Sequence, residues 1–432
     1  MKRILPILLL LCFSASADVL PRRLTAGVAA HPLTPESQQS LGIRNGLAVQ
    51  AVTPGLPFAE AGIREGDVLL ALDGAPLTHP RELVASLRRH KAGEILRVEL
   101  LRGGQKQSFD VKLREAPRIS SNAYDVLYDS VSADGARYRV IVTKPRHVAK
   151  APALYLVQGL GCFSVDDPKD GYDTHILDAV TRAGYVTLRV DKPGTGDSEG
   201  GPCPEVDFRT ELRAYQAGLQ WLAAQSYVDS TRISLFGHSM GGIMAPMIAE
   251  AAPVKKAIVY GSGFNSWLYY MLENSRRQSR LGGTAFDVMA DEEKQFEKFN
   301  ALLFVQRKSM EEALQEVPQM RQHFPDGRSY AAGKPVTYFQ QIYDTNLARE
   351  WKEAKLPVVA IWGTSDFVAS ETDAEWLAAA VDAWLPGSGK LIRLPETDHW
   401  FNKAATFRQS MMQGPDGTFN EEVLRIILRE LQ

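Results

Sequence analysis

The chain has 432 residues, 45% of them hydrophobic and 23% charged, an ordinary globular composition long enough for two or three domains. Its formal net charge is −2, or −4 once Lys2 and Arg3 leave with the leader described next. That balance excludes the basic footprint of a nucleic-acid binder.

The chain opens MKRILPILLLLCFSASADVL. Lys2 and Arg3 form a basic start, Ile4 to Phe13 an apolar run, and Ala15-Ser16-Ala17 a small-x-small cleavage signal. The run is ten residues, short of the ~20 a spanning helix needs, so no membrane span is expected. Leu11 stands where a lipobox would carry a small residue, which argues against a lipid anchor on Cys12. Residues 1–17 therefore read as a signal peptide, and export to a bacterial periplasm is the expectation. With Cys12 removed, only Cys162 and Cys203 remain, and in an oxidising compartment they are candidates for one bridge. Closing a loop of that length removes roughly 4 kcal/mol of unfolded-chain entropy. No Cys/His cluster has metal-binding spacing, and neither metal nor cofactor is expected.

From about Leu24 to Leu113 short strands alternate with short helices. Strand Leu47 to Val52 leads through a Pro-Gly turn to a small-residue helix around Ala59, Ala61 and Gly62, and then to the strand Asp67 to Leu72, which ends in the turn Asp73-Gly74. Pro80 to Arg89 reads as an amphipathic helix with Leu83, Val84 and Leu87 on one side, and ILRVELLRGGQKQSFDVKL closes the unit as a hairpin over Gly103-Gly104. On the strength of AxAGIREGDVLLALDG, residues 18–116 resemble a PDZ domain of the type attached to bacterial periplasmic proteases. The resemblance implies a small α+β fold whose groove binds a peptide C-terminus by strand addition. Leu24, Ala26 and Val28 would supply the carboxylate loop, and Leu83 and Leu87 would line the groove. The glycine-rich loop of the family is matched only by Gly27.

From Tyr124 onward the pattern becomes strand and helix in alternation. YDVLYDSV and RYRVIVTKPR read as a leading antiparallel hairpin. ALYLVQG, YVTLRVD, RISLFGHS, KAIVYGSG, LPVVAIWG and KLIRLPE are continuously apolar runs that suit a parallel sheet covered on both faces. Phe264 to Glu350 interrupts the alternation with helical, aromatic-rich sequence and reads as a cap inserted between two strands, about 264–350. Most of its aromatics are expected to form the cap's own core.

Three residues are the candidates for the chemistry. Ser239, in RISLFGHSMGGIMAPMIAE, sits between Gly237 and Gly241 at a strand-to-helix turn, the setting of a nucleophile elbow. A serine hydroxyl needs a base and something to orient it. His399, in LPETDHWF after the last strand, is the best base among eight histidines, and Asp366, in IWGTSDFVAS, is the acid that follows a strand most directly. Glu396, Asp398 and Asp373 are its rivals. With the loop DKPGTGDSEGGPC, these features resemble the α/β-hydrolase superfamily over about 310 residues, Asn122 to Gln432, within a domain taken as 117–432. The resemblance implies a mostly parallel eight-stranded sheet with a helical cap and a Ser239–His399–Asp366 triad at its carboxyl edge. It also implies oxyanion donors from the backbone N–H groups of Met240 and of Leu160, the latter in QGLGCF, where Gln158 replaces the usual histidine. A Cys162–Cys203 bridge would then tie the oxyanion loop to its neighbour. The expected activity is serine hydrolysis of carboxylic esters. The alternative is a peptidase or aminopeptidase, which needs a cap carboxylate such as Glu273, Asp287 or Glu293 to hold a peptide amine. A PDZ adaptor with a hydrolase-like scaffold is a third reading, opposed by the complete set of triad residues.

Overall fold

The computed structural model describes residues 20–166, 171–324 and 326–432. The leader read in residues 1–17, with Cys12, lies outside them. The chain divides into two compact units, Pro21–Arg118 and, together with Leu20, Ile119–Gln432.

In the first unit the strands Val28–Pro32, Leu47–Val52, Val68–Leu72, Ile95–Arg102 and Gln105–Lys112 form an antiparallel sheet in that order. Alternation in ILRVELLR turns Leu96, Val98 and Leu100 inward, where they pack with Phe58, Leu69 and Val111. Helix Pro80–Leu87 begins with a capping box, His79 receiving one backbone N–H and Glu82 returning to the His79 N–H. It buries Leu83 and sets Leu87 against the core. Val84 departs from the expected face and is 47% exposed, because one residue past Leu83 the helix has turned ~100°. Asp67, almost wholly buried, takes two bonds from Arg102 at 2.7 and 2.6 Å and one from the Arg64 N–H at 2.8 Å. This is a PDZ domain.

The second unit is an α/β-hydrolase fold. Its strands are β1 (Tyr124–Ala133), β2 (Ala136–Pro145), β3 (Ala151–Val157), β4 (Val186–Val190), β5 (Val228–His238), β6 (Lys256–Tyr260), β7 (Val358–Gly363) and β8 (Gly389–Leu394). They lie in the order β8-β7-β6-β5-β3-β4-β2-β1. The leading hairpin is antiparallel and β3 through β8 are parallel. Both faces are covered: Tyr155 and Val157 of β3 join the core on one side with Leu219 and Met244, while Leu154 and Leu156 pack on the other with Ile176 and Ile427. That double burial is why the strands read as unbroken apolar runs. Between β6 and β7 stand the helices Trp267–Gly282, Phe286–Asn300 and Val336–Asp344 and a two-stranded ribbon, Ser329–Ala331 with Lys334–Pro335. Phe299, Phe304, Tyr338 and Phe339 are buried there, and Trp267 stacks on Phe339 at 4.8 Å. Among the described residues no helix is long and apolar enough to cross a membrane.

Candidate active site

Strand β5 runs into a sharp turn at Ser239, whose backbone has φ 52° and ψ −116°. Such a conformation is strained for any residue with a β-carbon and persists only where its surroundings enforce it. Here the Ser239 N–H donates to the Tyr260 carbonyl at 2.8 Å, the Ser239 carbonyl accepts from the Gly242 N–H at 3.0 Å, and helix Met240–Ile248 starts at the next residue. The flanking glycines are required by close approach. A β-carbon on Gly241 would lie 2.1 Å from the Val157 carbonyl oxygen, and one on Gly237 would lie 2.7 Å from the Gly241 backbone.

Asp366 follows β7 and is fully buried. Its Oδ1 accepts the N–H groups of Val368 and Ala369 at 2.9 and 2.8 Å, and its Oδ2 lies 2.8 Å from His399 Nδ1. An ionised carboxylate only accepts, so the imidazole proton is assigned to Nδ1 and the lone pair of a base to Nε2. The loop carrying His399 is shaped by Asp398, whose Oδ1 takes the N–H groups of Trp400 and Asn402 and whose Oδ2 takes Gln413 Nε2. Burial raises the Asp398 carboxyl above its ordinary range in spite of those bonds. Asp373 accepts the N–H groups of Phe264 and Asn265 and so fixes the entry to the cap. The Glu396 backbone N–H bonds Thr364 Oγ1.

Ser239 and His399 both line one cavity of about 750 Å³. No hydrogen bond joins them among the described residues. His238 lies beneath, its Nε2–H donating to the His399 carbonyl at 2.9 Å. Burial first, and then electrostatic repulsion between the two adjoining imidazoles, hold His238 well below the usual histidine range. Met240 and Leu160, the expected backbone donors, line the same cavity as Ser239. Met240 is the first residue of its helix, where its N–H has no intrahelical acceptor. It shares the cavity wall with Leu160, and among the described residues no hydrogen bond engages either N–H.

The loop after β3 is tied to the loop after β4. Cys162 and Cys203 are disulfide-bonded, with Cα atoms 5.8 Å apart. Asp191 Oδ1 accepts Ser164 Oγ and the Val165 N–H, both at 2.8 Å. Burial pushes the Asp191 carboxyl up to about 6 against those bonds, with Asp166 and Asp197 adding to the rise.

The cavity walls are mostly apolar: Phe163, Ile243, Trp267, Tyr270, Leu347 and Phe419 are among them. No carboxylate lines the cavity among the described residues. Glu273 pairs with Arg277 and Glu293 with Arg276, and neither these nor Asp287 reaches the walls. Trp400, Asn402 and His175 border the cavity too, and sequence pattern alone points to none of them. The first two could be found from their adjacency to His399, whereas His175 carries no local signal.

In the PDZ unit, Ala26 and Leu83 are buried and Leu24, Val28 and Leu87 are partly buried against one core. Only Val28 belongs to the sheet's edge strand; Leu24 pairs instead with Glu115 in a separate two-residue ladder.

The profile of the X-Pro dipeptidyl-peptidase (S15) family matches residues 134–399, and that of the PDZ domain matches residues 27–113. A probable dipeptidyl-aminopeptidase B of Aspergillus clavatus is 31% identical over 157 residues, which cover 33% of this chain and 16% of that protein. A probable periplasmic serine endoprotease, DegP-like, of Rhizobium meliloti is 33% identical over 93 residues, covering 21% of this chain and 18% of its own. The chain thus spans less than a fifth of either relative's length. Among solved structures, an esterase of Pyrococcus furiosus aligns with a TM-score of 0.43 at 13% identity, covering 73% of this chain and 95% of that one.

Proposed function

The chain belongs to the S15 family of X-Pro dipeptidyl-peptidases, and we propose that it acts as a serine hydrolase through Ser239, His399 and Asp366 and, on the character of its cavity, that its substrates are esters of apolar acids. Ser239 Oγ attacks the carbonyl carbon while His399 Nε2 takes its proton, and Asp366 Oδ2 holds the opposite N–H in place. The oxyanion is received by the N–H groups of Met240 and Leu160. His399 returns the proton to the departing alcohol, and water, deprotonated by the same nitrogen, releases the acyl group.

The observation that carries the ester reading is the cavity. Its described walls are mostly apolar, with Phe163, Ile243, Trp267, Tyr270, Leu347 and Phe419 among them, and a peptidase that reads a free N-terminus would need a carboxylate there for the ammonium. Those apolar walls suit the acyl chain of an ester. The test is a parallel assay of p-nitrophenyl esters and of aminoacyl and X-Pro anilides, with Ser239→Ala as the control. Ester turnover that vanishes in Ser239→Ala supports the reading. Anilide turnover without ester turnover moves the assignment to the second reading, a dipeptidyl peptidase, which the family match and the fungal dipeptidyl-aminopeptidase favour.

The PDZ unit supports capture of a peptide C-terminus beside the edge strand Val28–Pro32, next to helix Pro80–Leu87. The likeness of that unit to a DegP-like protease of the periplasm supports export to the same compartment.

A further inference from the structure

Lys192 sits in the DKPGTGDS loop after β4, with its side chain wholly inaccessible to solvent. Its Nζ donates to the Gly159 carbonyl at 2.5 Å and lies 2.8 Å from Glu211 Oε1. Glu211, on helix Phe208–Ala223, is also fully buried, and its Oε2 lies 3.1 Å from Lys334 Nζ, contributed by the ribbon within the 264–350 segment. Lys334 Nζ in turn donates to the Cys203 carbonyl at 3.0 Å. Burial alone would raise the Glu211 carboxyl, but the two ammonium charges outweigh it and hold it below the ordinary range. The two lysines thus share one buried carboxylate, Lys192 on Oε1 and Lys334 on Oε2.

Gly159 C=O belongs to the same peptide unit as Leu160 N–H, and in a trans peptide the two point in opposite directions. A donor fixed on the oxygen therefore fixes where the N–H points. This peptide lies against the elbow: a β-carbon on Gly159 would sit 3.2 Å from Ser239 Cβ. A cationic donor on the carbonyl also draws charge from the amide, and hydrogen bonds in such a chain strengthen one another. We propose that Lys192 is a positioning residue for the oxyanion hole, orienting and polarising the Gly159–Leu160 peptide from behind. The proposal rests on the serine-hydrolase reading above and adds to it a buried charge that favours the transition state over the ground state.

Two substitutions separate this role from a structural one. Lys192→Met leaves the Glu211–Lys334 pair balanced and removes the bond to Gly159. Lys334→Met leaves the Glu211–Lys192 pair balanced and keeps that bond. With p-nitrophenyl butyrate, Lys192→Met is expected to lower kcat on the order of 10–100-fold with KM within about three-fold, since loss of a whole oxyanion donor lowers kcat by ~10²–10³. An alkyl trifluoromethyl ketone, which forms an oxyanion on Ser239, should bind Lys192→Met more weakly by a similar factor. Lys334→Met should stay within about three-fold of wild type in both measurements. If Lys192→Met does not fold, Lys192→Gln is read instead; it retains an uncharged donor, and a drop of roughly ten-fold in kcat is expected. Equal losses in Lys192→Met and Lys334→Met, or a folded Lys192 variant with wild-type kcat and ketone affinity, overturn the proposal. The parent reading fails separately, if Ser239→Ala retains activity.

Discussion

The two units bury charge in opposite ways. In the PDZ domain the buried carboxylate Asp67 is matched at once by Arg102, reaching in from the surface and bonding the Gly62 carbonyl as well. In the hydrolase unit Asp366, Asp398, Asp191, Glu211 and Lys192 are buried around one cavity or the loops that form it. Binding by strand addition uses backbone groups already present at a sheet edge, so a PDZ core can remain almost wholly apolar. Acyl transfer needs polar groups fixed in a dry site before substrate arrives, and the fold has to hold them there. The difference can be tested by asking which unit responds when a buried polar group is altered.

The largest response is expected from Asp366→Asn. The amide cannot accept from Nδ1–H and the two backbone N–H groups while keeping His399 in its working tautomer, so kcat for ester hydrolysis should fall on the order of 10⁴-fold. KM should change little, and circular dichroism should be unaltered. A loss under ten-fold would mean that another carboxylate, Asp398 foremost, orients the imidazole. A peptide-binding assay on the PDZ unit of the same variant should read as wild type.

Legibility in the sequence follows the same division. The elbow is legible because its requirements are local: an apolar strand, two glycines forced by close approach, a small-residue helix. Asp366 and His399 are legible as residues just past strand ends, which a parallel sheet brings to one edge. In sequence, the choice among Asp366, Asp398 and Asp373 rests on position alone, and the structure gives each a distinct partner: imidazole, the His399 turn, the cap entry. Lys192 has no legible role within its motif, because its partners Gly159, Glu211 and Lys334 come from three other segments. No periodicity or spacing encodes such a meeting. In the PDZ unit the hairpins and the helix are legible from turn residues and alternation, whereas Val84, one residue from Leu83, shows that facing cannot be read from apolar character alone.

Removing the disulfide should give the next largest effect. Cys162→Ser with Cys203→Ser opens a loop of 41 residues, for which the chain-entropy contribution is roughly 4 kcal/mol. In urea the hydrolase transition should move to lower denaturant while the PDZ transition stays in place. Ester kcat should fall as well, because the same bridge braces the loop that carries the Leu160 N–H. Two transitions that shift together would contradict the division into units with separate cores.

Two buried aspartates, one in each unit, also predict opposite responses to pH. Asp191 has its folded carboxyl raised to about 6, from an ordinary 3.8. Between those values the folded state holds a proton that the unfolded chain has lost, so hydrolase stability falls as pH rises from about 4 to about 6, by roughly 3 kcal/mol in all. Asp191→Asn should flatten that slope, and an unchanged slope would remove Asp191 from the account. Asp67 has the other sign. Burial raises its carboxyl, but the Arg102 and Arg64 bonds outweigh burial and hold it below the ordinary value. Its contribution is fully present above about pH 4 and is lost as pH falls through the lowered value. Acidification from about pH 5 to about pH 3 should therefore loosen the PDZ transition while protonation of Asp191 favours the hydrolase fold.

The smallest effect bears on whether the PDZ groove is used. Leu87 is only partly buried beside the PDZ core, so Leu87→Ser should lower PDZ stability by about 1 kcal/mol or less. Its methyl groups stand at the end of the helix that would pack on a peptide's last side chain. Affinity for C-terminal decapeptides selected from a displayed library should drop about ten-fold, or ~1.4 kcal/mol. Turnover of p-nitrophenyl butyrate should stay within about two-fold, because a soluble ester needs no groove. If affinity is unchanged, the ligand does not use this face, and the edge strand Val28–Pro32 loses its role. If ester turnover falls instead, a binding unit with an apolar core would be acting on a catalytic one built of buried charge, and the contrast between them would have to be given up.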